Sequence, residues 1–411
     1  MRSREVLVWA GLLLAFFGGR LTTTDVAAQY QVAESVFGSR PLFTSQYGWQ
    51  VSGVREDNYV PHAPGYSLIL LPSAGVGLLL GVSSGKVLAA LTNAFMSLLL
   101  IEGMRKLAEG FIGQVSASRF LAVMAGTMAL VYGRMPYDVT SAAALAIWGS
   151  WFIHSGKPFH AGVLFGAALL VRPDIIVLLP VYWTCEKPME KFMPFIAGAA
   201  PFVMGLMLYN HYRFGSVLND GHGADPAISP DLYGRGIPGL LFSPGKGLFW
   251  YAPLTVLAIF YCGDWRFWSP LVFSLVLHGF LHDWTGGTGW GPRFLFPVLP
   301  VFFMPLMRRG TGGKLFTVLA VLTLIITFAA CVTDTNGLER ELGQDDFDSQ
   351  SRQSLIWKPS RSPLLHTLTF PDITSPDLLG GHVLGWPGIL LQLAAGGALV
   401  FFGWKKGECS L

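Results

Sequence analysis

The sequence is poor in charge and lacks recognisable metal and redox motifs. Only 13% of its 411 residues are charged and 52% are hydrophobic, whereas roughly 25% of an average soluble domain is charged. The net charge of +3 is too small, and the basic residues are too scattered, to indicate nucleic-acid binding. The four cysteines lie far apart, without zinc-site or disulfide-framework spacing. The mean hydropathy of +0.49 instead places the chain in a lipid bilayer.

Long apolar segments recur along the chain. A helix that spans the hydrocarbon core needs about 20 mainly apolar residues. The segments predict an all-α polytopic membrane protein with about 10–12 transmembrane helices. The first segment has a basic start and no clean cleavage site after it, so we expect an uncleaved membrane helix. The candidate spans are residues 5–19, 87–103, 118–133, 139–154, 192–210, 248–262, 268–282, 292–307, 315–332 and 385–404.

Two further apolar stretches are ambiguous. Residues 65–82 could span the membrane, or they could lie as a broken helix on the outer side, because Pro72 and several glycines interrupt them. Residues 159–184 contain Arg172-Pro173-Asp174 midway, so they could form one span or a hairpin of two short helices.

The distribution of Lys and Arg favours one topology. If residues 65–82 stay outside and residues 159–184 form a hairpin, every short inner loop is basic, as cytoplasmic loops usually are. Both termini are then predicted to be cytoplasmic. If residues 65–82 span instead, Arg105, Lys106 and Arg119 fall outside. The predicted inner residues are Arg2, Arg4, Arg105, Lys106, Arg119, Lys157, Lys187, Lys191, Arg266, Arg308, Arg309, Lys314, Lys405 and Lys406.

This topology divides the chain into three parts. Residues 1–332 form a transmembrane module whose first outer loop covers about 20–86 and carries juxtamembrane helices. Residues 333–384 form a polar outer loop, and residues 385–411 form the last transmembrane helix and a cytoplasmic tail. The other outer insertions are Gly133–Asp138, residues 211–247 and Asp283–Gly291.

Two outer carboxylates each precede or open a predicted helix. Asp25 follows a run of threonines just outside the first span and precedes AAQYQVAESVF, which has helical apolar spacing. Asp138 follows GRMPY, which brings Arg134 and Tyr137 to the same face. Each carboxylate could be an N-cap. Two carboxylates on one aqueous face could also supply a proton acceptor and a group that orients its partner.

Basic residues beside glycines could bind phosphate. Lys246 lies in SPGKG, a turn at the start of a helix that lacks the spacing of a nucleotide phosphate loop. Arg293 follows GGTGWGP and could be an interface anchor alongside Trp284 and Trp290, or a bidentate phosphate ligand. A divalent metal is possible but not indicated, because no spacing singles out His211, His222 and Asp225. No cofactor is expected.

Several segments, in this order and on this predicted side, carry a family resemblance. The chain resembles the GT-C superfamily of membrane glycosyltransferases, particularly the branch of protein O-mannosyltransferases and lipid A aminoarabinose transferases. The resemblance covers Leu21 to about Pro305. The matching pieces are TTTDVAAQY, YVPHAPGYSLILLP, Asp138 opening a helix, ALLVRPD, YNHYRFGS, GLLFSPGKGLFWYAP and GWGPRFLFPVLP.

The resemblance implies an inverting transfer from a polyprenyl-phosphate sugar to a lipid, glycan or protein acceptor, on the outer side of a bacterial-type inner membrane. Asp25 is then the base and Asp138 resembles the second acidic position. Arg293 with Lys246 would receive the leaving phosphate. Further substrate-binding residues implied by the matching segments and their neighbours are Arg213, His62, Tyr66 and Glu34.

Two points stay open. Val26 stands where the family often has a second acidic residue, so Asp25 acts alone or with Glu34, Glu56 or Asp57. A transporter or flippase is the alternative function, and it should carry ionisable groups near the bilayer midplane. Arg172 and Asp174 are the candidate pair inside a hydrophobic stretch, whereas most charges lie at the ends of spans, which favours the enzyme.

Overall fold

The structure is a computed structural model that describes residues 3–21, 23–47, 50–54, 57–182, 188–221, 233–281, 283–343, 354–369 and 376–408. The described chain is largely helical, as predicted. The α-helices are α1 (Ser3–Ala15), α2 (Thr24–Ser35), α3 (Gly65–Leu80), α4 (Val82–Ile112), α5 (Ala117–Gly126), α6 (Ala129–Gly133), α7 (Asp138–His154), α8 (Pro158–Val171), α9 (Leu179–Tyr182), α10 (Pro188–Phe214), α11 (Tyr233–Phe242), α12 (Leu248–Tyr251), α13 (Leu254–Tyr261), α14 (Trp265–Gly279), α15 (Leu299–Phe302), α16 (Gly313–Val332), α17 (Thr335–Glu341), α18 (Pro363–Thr369), α19 (Leu379–Leu384) and α20 (Trp386–Glu408).

Shorter elements complete the fold. A two-stranded antiparallel hairpin, β1 (Val51–Ser52) and β2 (Asn58–Tyr59), lies in the first outer loop, with Val51 opposite Tyr59. The 3₁₀ segments are Pro173–Leu178, Arg293–Val298, Met304–Met307 and Pro359–Arg361.

Four of the described helices are long and apolar enough to cross a membrane: Val82–Ile112, Met189–Phe214, Gly313–Val332 and Trp386–Lys405. Shorter apolar helices pack between them around one large hydrophobic core. The chain is therefore an all-α polytopic membrane protein, as its composition predicts.

The first and last helices pack antiparallel. Glycine allows their backbones to touch, because a Cβ at Gly11 would lie 2.7 Å from the Gly396 carbonyl oxygen. Further along the pair, Gly403 faces Leu7, and the Arg4 guanidinium lies 4.3 Å from the Trp404 ring centroid. The start of α1 and the end of α20 therefore lie at the same end of the helical bundle.

Residues 65–80 form one unbroken helix, α3, which is followed by a tight turn. α3 continues through Pro72 to Leu80, so of the two alternatives the one with a broken helix is wrong. A proline removes one backbone hydrogen bond, but α3 packs closely along α4, as the approach of Gly77 to Gly85 shows. The chain reverses at Gly81, whose φ of 97° suits glycine.

Residues 158–182 form the predicted hairpin. α8 leads to Arg172, which contacts Asp138 at the start of α7. The chain then returns to the other end of α7, where Nε2 of His154 lies 3.2 Å from the Val181 carbonyl oxygen. Arg172 and Asp174 therefore lie at the tip of a hairpin and not midway along a span.

Three predicted spans are interrupted. Residues 118–133 divide at Met128, which has a φ of 66°, and residues 248–262 divide before Pro253. Residues 292–307 consist of two 3₁₀ segments around the short α15, and they contain Pro292, Pro297, Pro300 and Pro305. Proline has no N–H for a continuous helical ladder, so the last two of these segments cross the core as short pieces.

Candidate active site

Asp25 lies in the first turn of α2 and is not its cap. Thr23 is the N-cap, because its hydroxyl accepts a hydrogen bond from the Val26 N–H at 3.2 Å. The Asp25 carboxylate is therefore free to bind elsewhere. Its Oδ2 lies 3.1 Å from Nη1 of Arg293, and its Oδ1 lies 3.9 Å from Nε2 of His62. Residues far apart in the chain thus meet at one carboxylate.

The charge environment keeps Asp25 ionised. Burial would raise the pKa of its carboxyl, but Arg293 and His62 oppose burial and hold that pKa below its ordinary value. The side chain is 37% exposed, so solvent and small polar groups can reach it. Asp25 is therefore an accessible carboxylate that can accept a proton.

The second carboxylate, Asp138, is also bound by a guanidinium. No side-chain cap bond closes the start of α7. Both Asp138 oxygens instead lie 3.2 Å from Nη1 of Arg172. Nε2 of Gln29 donates to Oδ2 of Asp138 at 3.4 Å. Asp138 therefore joins α7 to the hairpin tip and to α2, and the capping interpretation is wrong here as well.

Arg172 lies between two carboxylates. Its Nε and Nη2 donate to the two oxygens of Asp174 at 3.0 and 2.7 Å, as a bidentate fork. Nε2 of His278 lies 3.1 Å from Oδ2 of Asp174 on the far side. Four groups from α7, the hairpin tip and α14 thus form one chain of contacts, which fixes the direction of Arg172.

The two cation–carboxylate pairs adjoin one aromatic ring. The guanidinium carbons of Arg172 and Arg293 each lie 5.7 Å from the ring centroid of Phe294, and His278 stacks on that ring at 4.4 Å. The two arginines therefore face one small region at the end of the bundle. Nε of Arg293 is buried without a hydrogen-bond partner, so this donor is available to an anion.

Lys246 is sealed inside the protein. The residue is 1% exposed, and its ammonium lies 3.1 Å from both oxygens of Glu339, which is fully buried. The same ammonium donates to the Gly289 carbonyl, and the Gly289 N–H donates to Glu339 at 2.7 Å. Lys246 and Glu339 therefore hold the loop that precedes Arg293, and the ammonium does not face an open site.

Two other predicted binding residues also have local partners. Arg213 is 1% exposed, donates to the Val60 carbonyl and to Asn210, and lies over Tyr209. Glu34, in the last turn of α2, lies 3.8 Å from Arg40. Neither side chain contacts the Asp25 or Asp138 pairs in the described structure.

Tyr66 lies near Asp138 but is enclosed. The residue is fully buried, its hydroxyl lies 3.5 Å from Oδ1 of Asn93, and the Asp138 carboxylate acts on it electrostatically. Tyr66 therefore supports the wall beside Asp138.

Several residues near the predicted outer face point inward. Arg134 is fully buried and binds Asp377 and the carbonyl groups at the ends of α1 and α16. Trp284 and Trp290 are 0% and 1% exposed, so their assignment to an interfacial aromatic belt is wrong. The loop folds back onto the core, where Trp290 packs against Tyr251.

Sequence reasoning missed part of this site. Arg172, Asp174, His278 and Gln29 were not among the predicted site residues, although ALLVRPD was one of the matching segments. The available signal was an ion pair beside a proline at the possible tip of a hairpin. Of the possible metal ligands, His222 and Asp225 lie outside the described residues. Among the described residues, no three His, Cys, Asp or Glu side chains lie close enough together to hold a metal ion.

Comparison with solved structures identifies the fold. ArnT from Cupriavidus metallidurans bound to undecaprenyl phosphate matches with a TM-score of 0.53 and 16% identity, over 97% of this chain and 74% of that one. The apo structure of the same protein matches with a TM-score of 0.50 and 13% identity, over 96% and 73% of the two chains. The chain therefore shares its overall fold with ArnT, a lipid A aminoarabinose transferase, which agrees with the fold that the resemblance implied. No family model and no curated protein matches the sequence.

Proposed function

We propose that the protein is an inverting glycosyltransferase that takes a sugar from a polyprenyl-phosphate donor. The observation that carries this proposal is the cluster in which Asp25 and Asp138 each hold an arginine at one end of the bundle. Carboxylates supply proton acceptors, and guanidinium groups match phosphate oxygens. The likeness in fold to ArnT, which was solved with undecaprenyl phosphate bound, supports a lipid phosphate as the ligand.

Asp25 is the base in this mechanism. It accepts the proton of the acceptor hydroxyl as the hydroxyl oxygen forms a bond to the anomeric carbon. The bond between that carbon and the phosphate oxygen breaks on the opposite face, and the electron pair leaves with the phosphate. A hydroxyl has a pKa far above neutrality, so the carboxylate acts mainly in the transition state, where proton removal contributes about 10²–10⁴-fold.

Arg293 couples phosphate binding to the release of the base. One nitrogen of Arg293 holds Asp25 at 3.1 Å, and Nε of Arg293 has no hydrogen-bond partner in the described structure. A phosphate at Arg293 competes with Asp25 for the guanidinium and weakens its hold on the carboxylate. Arg172, fixed by Asp174, provides the second positive group. Fixed charges aimed at a leaving group stabilise the transition state strongly.

Lys246 has a supporting role in this proposal. Its contacts with Glu339 and Gly289 hold the loop that ends at Arg293. The leaving phosphate is received by Arg293 and Arg172, while Lys246 fixes the loop from behind.

Binding of the lipid tests the proposal. Undecaprenyl phosphate should quench the tryptophan fluorescence of the purified protein in nanodiscs and saturate, whereas undecaprenol, which lacks the phosphate, should not. A variant that carries both Arg172→Met and Arg293→Met should lose this binding. Equal binding of undecaprenol would contradict the proposal. Mass spectrometry of lipid-linked sugars and envelope glycans in a deletion strain then identifies the sugar and the acceptor.

The site is proposed to face the periplasm or exterior of a bacterial-type inner membrane, with both termini in the cytoplasm. In a variant whose native cysteines are replaced, single cysteines at Thr24 and Lys106 should react with a membrane-impermeant maleimide from opposite sides. Labelling of both positions from one side would overturn this orientation.

A further inference from the structure

Gln29 is a buried glutamine on α2. The nitrogen of its side-chain amide has a hydrogen-bond partner, but the oxygen does not. Gln29 lies one turn after Asp25, so both side chains share a face of the helix. The residue is 1% exposed. Its Nε2 donates to Asp138, whereas its Oε1 has no hydrogen-bond partner. Buried polar atoms nearly always have a hydrogen-bond partner, so this oxygen is expected to accept a hydrogen bond from a bound molecule.

The orientation of this amide is fixed by its neighbour. Both oxygens of Asp138 lie 3.2 Å from Nη1 of Arg172, which is the geometry of a carboxylate that only accepts. Reversing the amide would place the Gln29 oxygen against that carboxylate, acceptor to acceptor. The Gln29 oxygen therefore faces away from Asp138, and only a hydrogen-bond donor can satisfy it.

A second unpaired polar atom lies on the helix that begins at Asp138. Ser141 is one turn along α7 from Asp138, is fully buried, and its hydroxyl has no hydrogen-bond partner. α2 and α7 thus each carry an unsatisfied polar group within one turn of a carboxylate of the cluster, Asp25 on α2 and Asp138 on α7. Such an arrangement suits a ligand that carries several hydroxyl groups.

We infer that Gln29 is a specificity-determining residue whose Oε1 accepts a hydrogen bond from a hydroxyl or amino group of the transferred sugar. The inference rests on the proposed function. A phosphate at Arg293 places its attached sugar beside Asp25, and Gln29 lies one turn further along the same helix. The helix that carries the base thereby also contacts the group being transferred.

The helix offers a matched control. Gln31 is also a buried glutamine, but its Oε1 accepts from the Ser45 hydroxyl at 3.0 Å and from the Gln46 N–H at 2.8 Å. Gln29→Met and Gln31→Met make the same change in side-chain chemistry on one helix. Only Gln29→Met removes an acceptor that has no partner within the described protein.

The test compares two dissociation constants in nanodiscs. One is for undecaprenyl phosphate, and the other is for the tightest-binding member of a panel of undecaprenyl-phosphate monosaccharides that includes mannose, glucose and an amino sugar. Gln29→Met should weaken binding of the sugar-bearing lipid about tenfold, as expected for one lost hydrogen bond. The ratio of the two dissociation constants should therefore shift about tenfold in Gln29→Met, whereas Gln31→Met should leave that ratio unchanged.

Each outcome decides a separate point. An unchanged ratio in Gln29→Met means that Gln29 does not bind the sugar, which overturns the inference. Sugar-bearing lipids that bind wild type no tighter than undecaprenyl phosphate also overturn it, while lipid-phosphate binding stands. Failure of wild type to bind undecaprenyl phosphate contradicts the proposed function itself.

A measurement on wild type covers the case in which Gln29→Met does not fold. Singly deoxygenated or deaminated analogues of the sugar lipid remove one donor at a time. One position should cost about tenfold in affinity, and in a folded Gln29→Met protein the same analogue should lose nothing further. If no position lowers affinity, Gln29 does not contact the sugar.

Discussion

Two cation–carboxylate pairs adjoin the same glycine-rich loop and differ in their access to solvent. Arg293 and Asp25 are 3.1 Å apart, with side chains 11% and 37% exposed. Lys246 and Glu339 are likewise 3.1 Å apart, but their side chains are 1% and 0% exposed. Both cations were predicted from the sequence as phosphate ligands. Charge and neighbouring glycines do not distinguish an accessible cation from a sealed one.

The difference in exposure gives the pairs different roles. A partly exposed pair can exchange its internal partner for a ligand, because water and the ligand compensate both charges during the exchange. A sealed pair cannot open without leaving an uncompensated charge in the core, which costs several kcal/mol. Arg293 and Asp25, the open pair, are therefore suited to chemistry. Lys246 and Glu339, the sealed pair, are suited to positioning the loop.

The largest expected effect concerns the carboxylate of the open pair. Asp25→Asn should lower turnover of a lipid-linked sugar donor by about 10²–10⁴-fold, because an amide cannot accept the proton. Expression and the melting temperature should change little. Glu34→Gln, a change of the same kind at the other end of α2, should keep most activity. Near-normal turnover by Asp25→Asn would remove Asp25 as the base.

The sealed pair should respond in stability. Lys246→Met leaves the Glu339 carboxylate buried without its partner, and removing one member of a buried pair costs about 3–5 kcal/mol. The melting temperature should fall accordingly. The double variant Lys246→Met with Glu339→Leu should recover much of the loss and bind undecaprenyl phosphate. A stable single variant with weakened lipid binding would instead assign Lys246 to the site and erase the contrast.

Removing the cation of the open pair should affect donor binding selectively. Arg293→Ala removes a charge-assisted contact worth about 1.5–3 kcal/mol, so the KM for the donor should rise about 10- to 100-fold. The KM for the acceptor should stay close to wild type. Steady-state kinetics with each substrate varied in turn separates the two. An effect confined to the acceptor argues against phosphate binding at Arg293.

The sequence predicted those parts of the molecule that depend on hydrophobic length and sidedness. Asp25 and Arg293 are 268 residues apart, yet both were placed at one outer face, because each follows or precedes an apolar segment on the same predicted side. The hairpin at Arg172 was also recognised as an option. Apolar length alone indicated the helical bundle, but not where Met128 or the four prolines of residues 292–307 interrupt it.

Partner choice and burial could not be predicted, because they depend on tertiary contacts. Glu339 lies in residues 333–384, which were predicted only as a polar outer loop, so nothing in the sequence paired Glu339 with Lys246. Arg172 was considered as a possible hairpin tip, as part of the matching segment ALLVRPD and as evidence for transport, but not as a residue of the site. Its role became visible when the fold brought it to 3.2 Å from Asp138. Sequence patterns predict which residues share one end of the bundle, and packing determines whether a charge there is available.

The smallest expected effect is a shift in the pH profile. The pKa of Asp25 is lowered: burial would raise it, but Arg293 and His62 outweigh burial. A base must be ionised, so turnover should fall only as the pH drops through this lowered pKa. Arg293→Gln removes the main opposing charge, so the pKa should rise and the acid limb of the residual turnover should move to higher pH. Glu34→Gln should leave the limb in place. An unmoved limb in Arg293→Gln would show that Arg293 does not control the ionisation of the base, and the open pair would then differ from the sealed pair in exposure alone.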